Sequence, residues 1–212
     1  MNLELDEKNE RIFQAAKELF AIHGYHQTST NLIAEKADVS KSLIFHHFRS
    51  KKKLYLTVID HSIDLMQTSF DKEWHTHGTE DFFEMMKKLV SIKMIVAVRY
   101  PTENKLLMHA SHSPSKEVAQ ELQMLLMEKS RAMQTLSDET IFGLLTTHSI
   151  REGVELEHAK NSIRIIFDAF AKRIVSEYDG RYEEMITNKE KILTELDAII
   201  DILKYGVSKS IL

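Results

Sequence analysis

The sequence contains no cysteine in 212 residues, which excludes disulfides, thiolate nucleophiles and sulfur-ligated zinc. It holds only two prolines, Pro101 and Pro114, and six glycines, so little in it breaks regular backbone. No apolar run is long enough to cross a bilayer. The N-terminus, MNLELDEKNER, is charged and acidic where a signal peptide needs a basic start and an apolar stretch. No membrane partner is expected, and a cytoplasmic location is. Also missing, at any recognisable spacing, are a phosphate-cradling glycine loop and a nucleophile with its base. No catalytic residue and no cofactor is therefore expected, and the chain does not read as an enzyme.

What is present is helical periodicity, nearly end to end. The apolar spacing predicts a first helix over 6–23 that buries Ile12, Ala15, Ala16, Leu19 and Phe20 and ends at Gly24. Two short helices follow, with Ser29 and Ser40 as caps. Ser50 starts a longer helix reaching 70–74, in which Leu54, Val58 and Leu65 share a stripe. Further helices are predicted over 80–100, stopped by Pro101, over 102–112, and from 115 with a break at Ser137-Asp138. Two more, 155–178 and 183–204, close the chain. The fold class is all-α, without repeat or flexible linker.

The formal net charge of -4 argues against wholesale coating of nucleic acid, but its distribution is uneven. Between Thr28 and Lys53 the basic residues Lys36, Lys41, Arg49, Lys51, Lys52 and Lys53 face only Glu35 and Asp38. In the same stretch, TSTNLIAEKADVSKSLIFHHF, Ile33, Ala34 and Ala37 line one helix face and Ile44 and Phe48 another. A four-residue break, Ala37 to Ser40, joins them. The outward positions of the second helix, Lys41, Ser42, Leu43, Phe45, His46 and His47, carry less charge and more aromatic surface than a solvated face. This is the pattern of a helix-turn-helix whose second helix enters the major groove. First-turn Lys41 reaches base edges and Leu43 a thymine methyl. The helix starts at Ser29, Ser40 and Lys51 suit phosphate.

The fixed spacings of IFQAAKELFAIHGYHQTS, IAEKADVSKSLIFHHF and SKKKL resemble the DNA-binding domain of the TetR family of one-component transcriptional regulators. The resemblance covers about Ile12 to Leu54. It implies an N-terminal three-helix DNA-binding domain at 1–53 and a C-terminal helical ligand-binding and dimerisation domain at 54–212. It further implies a homodimeric repressor that a small molecule releases from its operator. Control by a protein partner is the alternative. The DNA-binding residues expected are Thr28, Ser29, Thr30, Ser40, Lys41, Ser42, Leu43, Phe45, His46, His47 and Lys51. Against the family pattern, Asp38 and Ser42 replace usual glycines and Lys52 a usual acid. Phe45 replaces a tyrosine that can donate to phosphate, which moves that role to His47.

Methionines concentrate in the middle helices, where they serve as core or as a pliable pocket for a small apolar or amphipathic ligand. The candidate pocket residues are Met86, Val90, Met94, Met108, His109, His112, Met124, Met127 and Phe167. The pairs His109/His112 and His75/His77 lack a third ligand at metal-site spacing, so no metal is expected. On the last two helices, Ile163, Phe167, Phe170 and Ile174, with Ile192, Leu196, Ile199 and Leu203, form apolar stripes. These are expected to pair with their copies in a second chain. Such a two-fold dimer would place two recognition helices roughly 34 to 36 Å apart on a near-palindromic double-stranded operator.

Overall fold

The computed structural model describes residues 3–74, 81–112, 114–146, 150–178 and 181–206. Among them the order is α1 (Leu3–Gln27), α2 (Thr30–Ala37), α3 (Lys41–Phe48), α4 (Lys51–Glu73), α5 (Phe82–Arg99), α6 (Pro101–His112) and α7 (Ala119–Thr140). A single 3-10 turn at Phe142–Leu144 precedes α8 (Leu156–Glu177), α9 (Tyr182–Thr187) and α10 (Lys189–Tyr205). The architecture is all-α. Two compact units share it, one of Met1–Ser69 and Tyr100–Arg131, the other of Phe70–Arg99 and Ala132–Leu212.

In the first unit, α1 packs against α2 and α6. Ile12, Ala16 and Phe20 of α1 meet Ile33, Ile44, Leu54, Val58 and Ile59 in one core, which Leu106 of α6 and Leu122 of α7 complete. Each such large aliphatic side chain taken fully out of water contributes about 1.5 to 3 kcal/mol before entropy is counted. The boundary expected after residue 53 falls inside this unit, because α6 and α7 share the core of the first three helices. α1 ends in effect at Gly24, whose φ of 68° and ψ of -177° are open only to glycine. The Thr28 hydroxyl then donates into the Leu19 and Gly24 carbonyls, at 3.1 and 2.8 Å, taking up acceptors that the helix end leaves free.

One charged pair lies in this packing. Lys17 Nζ of α1 sits 2.6 Å from Glu103 Oε1 of α6, with side chains only 13% and 7% exposed. Nearby, Lys52 pairs with Glu121 at 2.6 Å, and Lys129 bridges Asp60 and Asp64 at 2.9 and 2.5 Å.

The second unit is built round Phe82, Met85, Met86 and Met94 of α5, Phe142 of the 3-10 turn, Ile163, Phe167, Phe170 and Ile174 of α8, and Ile192, Leu196 and Ile200 of α10. Asp81 caps α5, its Oδ1 accepting from the amides of Phe83 and Glu84 at 2.8 and 3.0 Å. Those bonds, Glu84's first, hold its carboxyl below the usual carboxylate range.

Two helix expectations change. α7 runs unbroken past Ser137-Asp138. The span expected as one helix over 183–204 divides at Asn188, whose φ of -92° and ψ of 11° leave the helical region while its side-chain amide donates to the Glu184 carbonyl at 2.9 Å.

Candidate nucleic-acid interface

The short helices α2 and α3 start where hydroxyl caps place them. Ser29 Oγ accepts from the Leu32 amide at 3.1 Å, Ser40 Oγ from Leu43 at 3.3 Å, and Ser50 Oγ from Lys53 at 3.0 Å, starting α4. Between α2 and α3 the chain reverses at Asp38, left-handed at φ 51° and ψ 54°. Its amide and that of Val39 return to the Glu35 and Ala34 carbonyls at 3.1 and 3.0 Å. Left-handed backbone costs a non-glycine residue about 1 to 2 kcal/mol. Here Arg11 donates to Asp38 Oδ2 at 3.4 Å. Arg49 makes a second such reversal, at φ 67°, between α3 and α4.

These constraints give α3 two distinct sides. Ile44 is buried, and Leu43 and Phe48 pack against the first unit's core. Lys41, Ser42, Phe45 and His46 are exposed. The Lys41 ammonium lies 5.9 Å from the centre of the Phe45 ring, and Ser42 shares a 2.9 Å hydrogen bond with Ser40. Ser29 is exposed and Thr30 half-buried at the start of α2.

Three expected contacts need correction. Thr28 is fully buried, its hydroxyl occupied by the end of α1, so its side chain does not belong to the exposed face. His47 is half-buried, and its Nε2 is enclosed without a hydrogen-bond partner. The imidazole that stands free on the surface is His46. The Lys51 ammonium donates to the Tyr25 carbonyl at 3.0 Å and lies 4.1 Å from that ring's centre, which directs it inward.

The electrostatics narrow accordingly. Lys36 pairs with Glu18 at 3.0 Å and Lys52 with Glu121, whereas Lys41, Arg49 and Lys53 are exposed and make no ion pair among the described residues. Arg49 escapes a reading from sequence because it follows the end of α3 and no glycine marks its left-handed turn. The two tyrosines beneath stay protonated. The Tyr25 hydroxyl donates to Glu117 at 2.7 Å, and burial, with Glu117, pushes its pKa far up. Burial pushes Tyr55 up to about 12.

The expected pocket residues fall in both units. Met86, Val90, Met94 and Phe167 pack in the core of the second unit. Met108, His109, Met124 and Met127 belong to the first, where Met124 and Met127 are 64% and 52% exposed. The His112 side chain, and His75 and His77 entirely, lie outside the described residues.

The expected dimer residues are also reassigned. Ile163, Phe167, Phe170, Ile174, Ile192 and Leu196 are buried inside their own chain, and Ile199 and Leu203 pack against the same core. The apolar stripes of α8 and α10 therefore face each other and α5. The residues left outward include Ile165, Ile202 and Tyr205, at 68%, 49% and 79% exposure.

Comparison with known proteins agrees with this arrangement. The sequence profile described as "Bacterial regulatory proteins, tetR family" matches residues 12–58. The chain is 30% identical over 174 residues to the uncharacterized HTH-type transcriptional regulator YvkB of Bacillus subtilis, covering 78% of this chain and 82% of that protein. It is 40% identical over 91 residues to the HTH-type transcriptional activator FasR of Mycolicibacterium smegmatis, 39% of this chain and 42% of that protein. That match spans less than half of FasR. The crystal structure of the transcriptional regulator FadR of Bacillus subtilis in complex with stearoyl-CoA superposes with a TM-score of 0.57 at 17% identity, over 94% of this chain and 100% of that one.

Proposed function

The chain belongs to the tetR family of bacterial regulatory proteins and is a DNA-binding transcriptional regulator, and from that premise we propose that it acts as a repressor which a small ligand releases from its operator. The observation that carries the DNA half is the exposed side of α3, with Lys41, Ser42, Phe45 and His46 outward on a buried two-helix support. Lys41 and Leu43 read bases, Leu43 through the edge it leaves exposed. Ser29, Ser40, His46, Arg49 and Lys53 meet phosphate, since helix starts and free cations position a protein on the backbone. The ligand half draws support from the stearoyl-CoA bound by FadR, a protein of the same fold. It also draws on the methionine-rich interior of the second unit. The name of FasR, an activator, is the reason the direction of regulation needs its own test.

The assembly proposed is a homodimer joined through the outward sides of α8 and α10. On α8 the exposed positions His158, Ser162, Ile165, Ala169, Lys172 and Ser176 recur at alternating spacings of four and three, and on α10 the exposed positions Thr194, Ala198, Ile202 and Tyr205 follow at spacings of four, four and three. Small residues beside Ile165 and Ile202 allow helices of two chains to approach in a four-helix arrangement.

The experiment is selection of bound sequences from random duplex DNA by the full chain, followed by reporter expression from the selected site. Enrichment of a near-palindrome, with lower expression in the protein's presence, is the expected result. Failure to enrich any sequence would overturn the operator reading, and raised expression would overturn the repressor one.

A further inference from the structure

Several lysines of the first unit are matched by carboxylates. Lys17 pairs with Glu103, Lys36 with Glu18, Lys52 with Glu121 and Lys129 with Asp60 and Asp64. Lys51 is held differently. Its ammonium makes no ion pair among the described residues; it donates to the Tyr25 carbonyl at 3.0 Å and sits 4.1 Å from the centre of the Tyr25 ring. Both partners are neutral, so the lysine keeps its full charge while its side chain is drawn inward. The position favours this arrangement, because a cation is welcome at the carbonyl end of α1 and opposed by the macrodipole at the first residue of α4.

Tyr25 is itself fixed from the far side. It is buried, its ring meets that of Tyr55 edge-on with centroids 5.1 Å apart, and its hydroxyl donates to Glu117 at 2.7 Å. One residue further on, His26 Nε2 shares a 2.8 Å hydrogen bond with Ser115. The link between α6 and α7 thus grips two consecutive residues at the end of α1. A phenol that donates to a carboxylate gains negative charge on its ring, and a more negative ring face holds a cation more strongly. Glu117 therefore acts on Lys51 through Tyr25, without an ion pair between them. The place of Lys51 in the chain gives this hold a consequence. Arg49 and Lys53, two residues to either side, are exposed and make no ion pair among the described residues, and Lys51 itself is half-buried.

We propose that Lys51 is a held-back phosphate contact, and that Tyr25 and Glu117 form the clamp that keeps its ammonium off DNA and so limits affinity. A carbonyl and a ring face are neutral partners, whereas a phosphate oxygen offers a charge-assisted bond and releases a counterion. The lysine's long, flexible stem lets it change from one to the other without moving α4. Loosening the clamp adds one phosphate contact beside those of Arg49 and Lys53. The control point, Glu117, lies outside the three helices that meet DNA. This inference rests on the DNA-binding reading above and adds a control on affinity that is independent of base sequence.

The test is a salt series of anisotropy titrations with the full-length protein on one duplex of arbitrary sequence, because phosphate contacts carry no sequence information. Lys51→Ala alone should leave the slope of log affinity against log salt at its wild-type value. Glu117→Ala and Tyr25→Phe should each tighten binding several-fold and steepen that slope by about one. Adding Lys51→Ala to either should return both quantities to wild type. Glu117→Gln keeps an acceptor for the Tyr25 hydroxyl while losing the charge, so it should stay nearer wild type than Glu117→Ala does. Tyr25→Phe changes no charge and keeps the ring, so it decides the matter if Glu117→Ala fails to fold. Four results overturn the proposal: unchanged or shallower slopes in Glu117→Ala and Tyr25→Phe, gains that survive Lys51→Ala, Glu117→Gln equal to Glu117→Ala, or a shallower slope in Lys51→Ala alone. Each leaves the operator reading standing, since sequence selection judges that. Failure to select any sequence with a protein whose slopes change as expected would do the reverse.

Discussion

Lys41 and Lys51 show how far one residue's role depends on what its neighbours already occupy. Both are lysines in the first turn of a helix in the basic stretch, and from the sequence both are expected to touch DNA, Lys41 at a base and Lys51 at phosphate. Lys51 is held by the Tyr25 carbonyl and ring, whereas Lys41 is exposed beside Phe45. Lys41→Ala should therefore relax preference at one base pair of the selected operator and weaken binding by about 1 to 3 kcal/mol. Lys51→Ala should act mainly on stability, through the lost contact with Tyr25. Anisotropy titrations against the operator and its single-base variants check the first point. Unchanged preference in Lys41→Ala would remove it from the reading face.

The pair Lys17 and Glu103 poses the same question where no DNA is involved. With both side chains mostly buried, Lys17→Met leaves an uncompensated carboxylate inside the first unit and should cost roughly 3 to 5 kcal/mol. The double variant Lys17→Met, Glu103→Leu restores an apolar contact and should return most of that loss. Urea unfolding of the two variants measures it, and equal instability of single and double would show that packing rather than charge is at stake. Nothing in the spacing of Lys17 and Glu103, 86 residues apart, announces this pair. It is a product of α1 meeting α6.

At the scale of the element, helix starts follow directly from residue chemistry. Ser29, Ser40 and Ser50 cap the helices that their position predicts, because a hydroxyl before an apolar-periodic run satisfies a free amide wherever it occurs. Helix interiors and turns made by non-glycine residues are less legible. Asp38 takes a left-handed turn that the family resemblance flags, whereas Arg49 takes one that nothing flags. Periodicity also cannot say which partner a stripe will meet. Ile163, Phe167, Ile192 and Leu196 are correctly read as buried sides of helices, but the burial is within the chain, since the sequence records the stripe and not the surface that covers it. The candidate pocket residues divide between the two units for a related reason. Methionine content marks soft interior, and the two units carry the same mark.

Asp81 offers a test at this scale that pH can read. Its carboxyl accepts two amides at the start of α5, which lowers its pKa in the folded state. A carboxyl with a depressed folded pKa contributes stability above its unfolded value and loses it as pH falls through the folded one. Asp81→Ala should thus cost about 1 kcal/mol near neutrality, and the difference from wild type should shrink as pH drops below the usual carboxylate range. Asp81→Asn should keep most of the cap with little of that pH dependence. Thermal unfolding of the three proteins across an acid series decides it, and a constant Asp81→Ala deficit from pH 7 down would show that the charge does not contribute.

For the whole molecule, the decisive question is which side of α8 and α10 a second copy covers. Leu196 is fully buried in its own unit, so Leu196→Glu would place an unpaired charge in that core and unfold it, revealing nothing about assembly. Ile165 and Ile202 are exposed, and surface changes of this kind usually shift the stability of an isolated chain by less than about 0.5 kcal/mol. Ile165→Glu with Ile202→Glu would put like charges from both copies into one two-fold interface, where the same patch meets itself. The expected outcome is a chain with wild-type helical content that sediments as a monomer at micromolar concentration. It should also bind a single half-site about as well as the wild type does, while losing most of its advantage on the full palindrome, because two linked recognition helices gain from effective concentration and one does not. A double variant that still sediments as a dimer and keeps the palindrome advantage would move the interface off these helices.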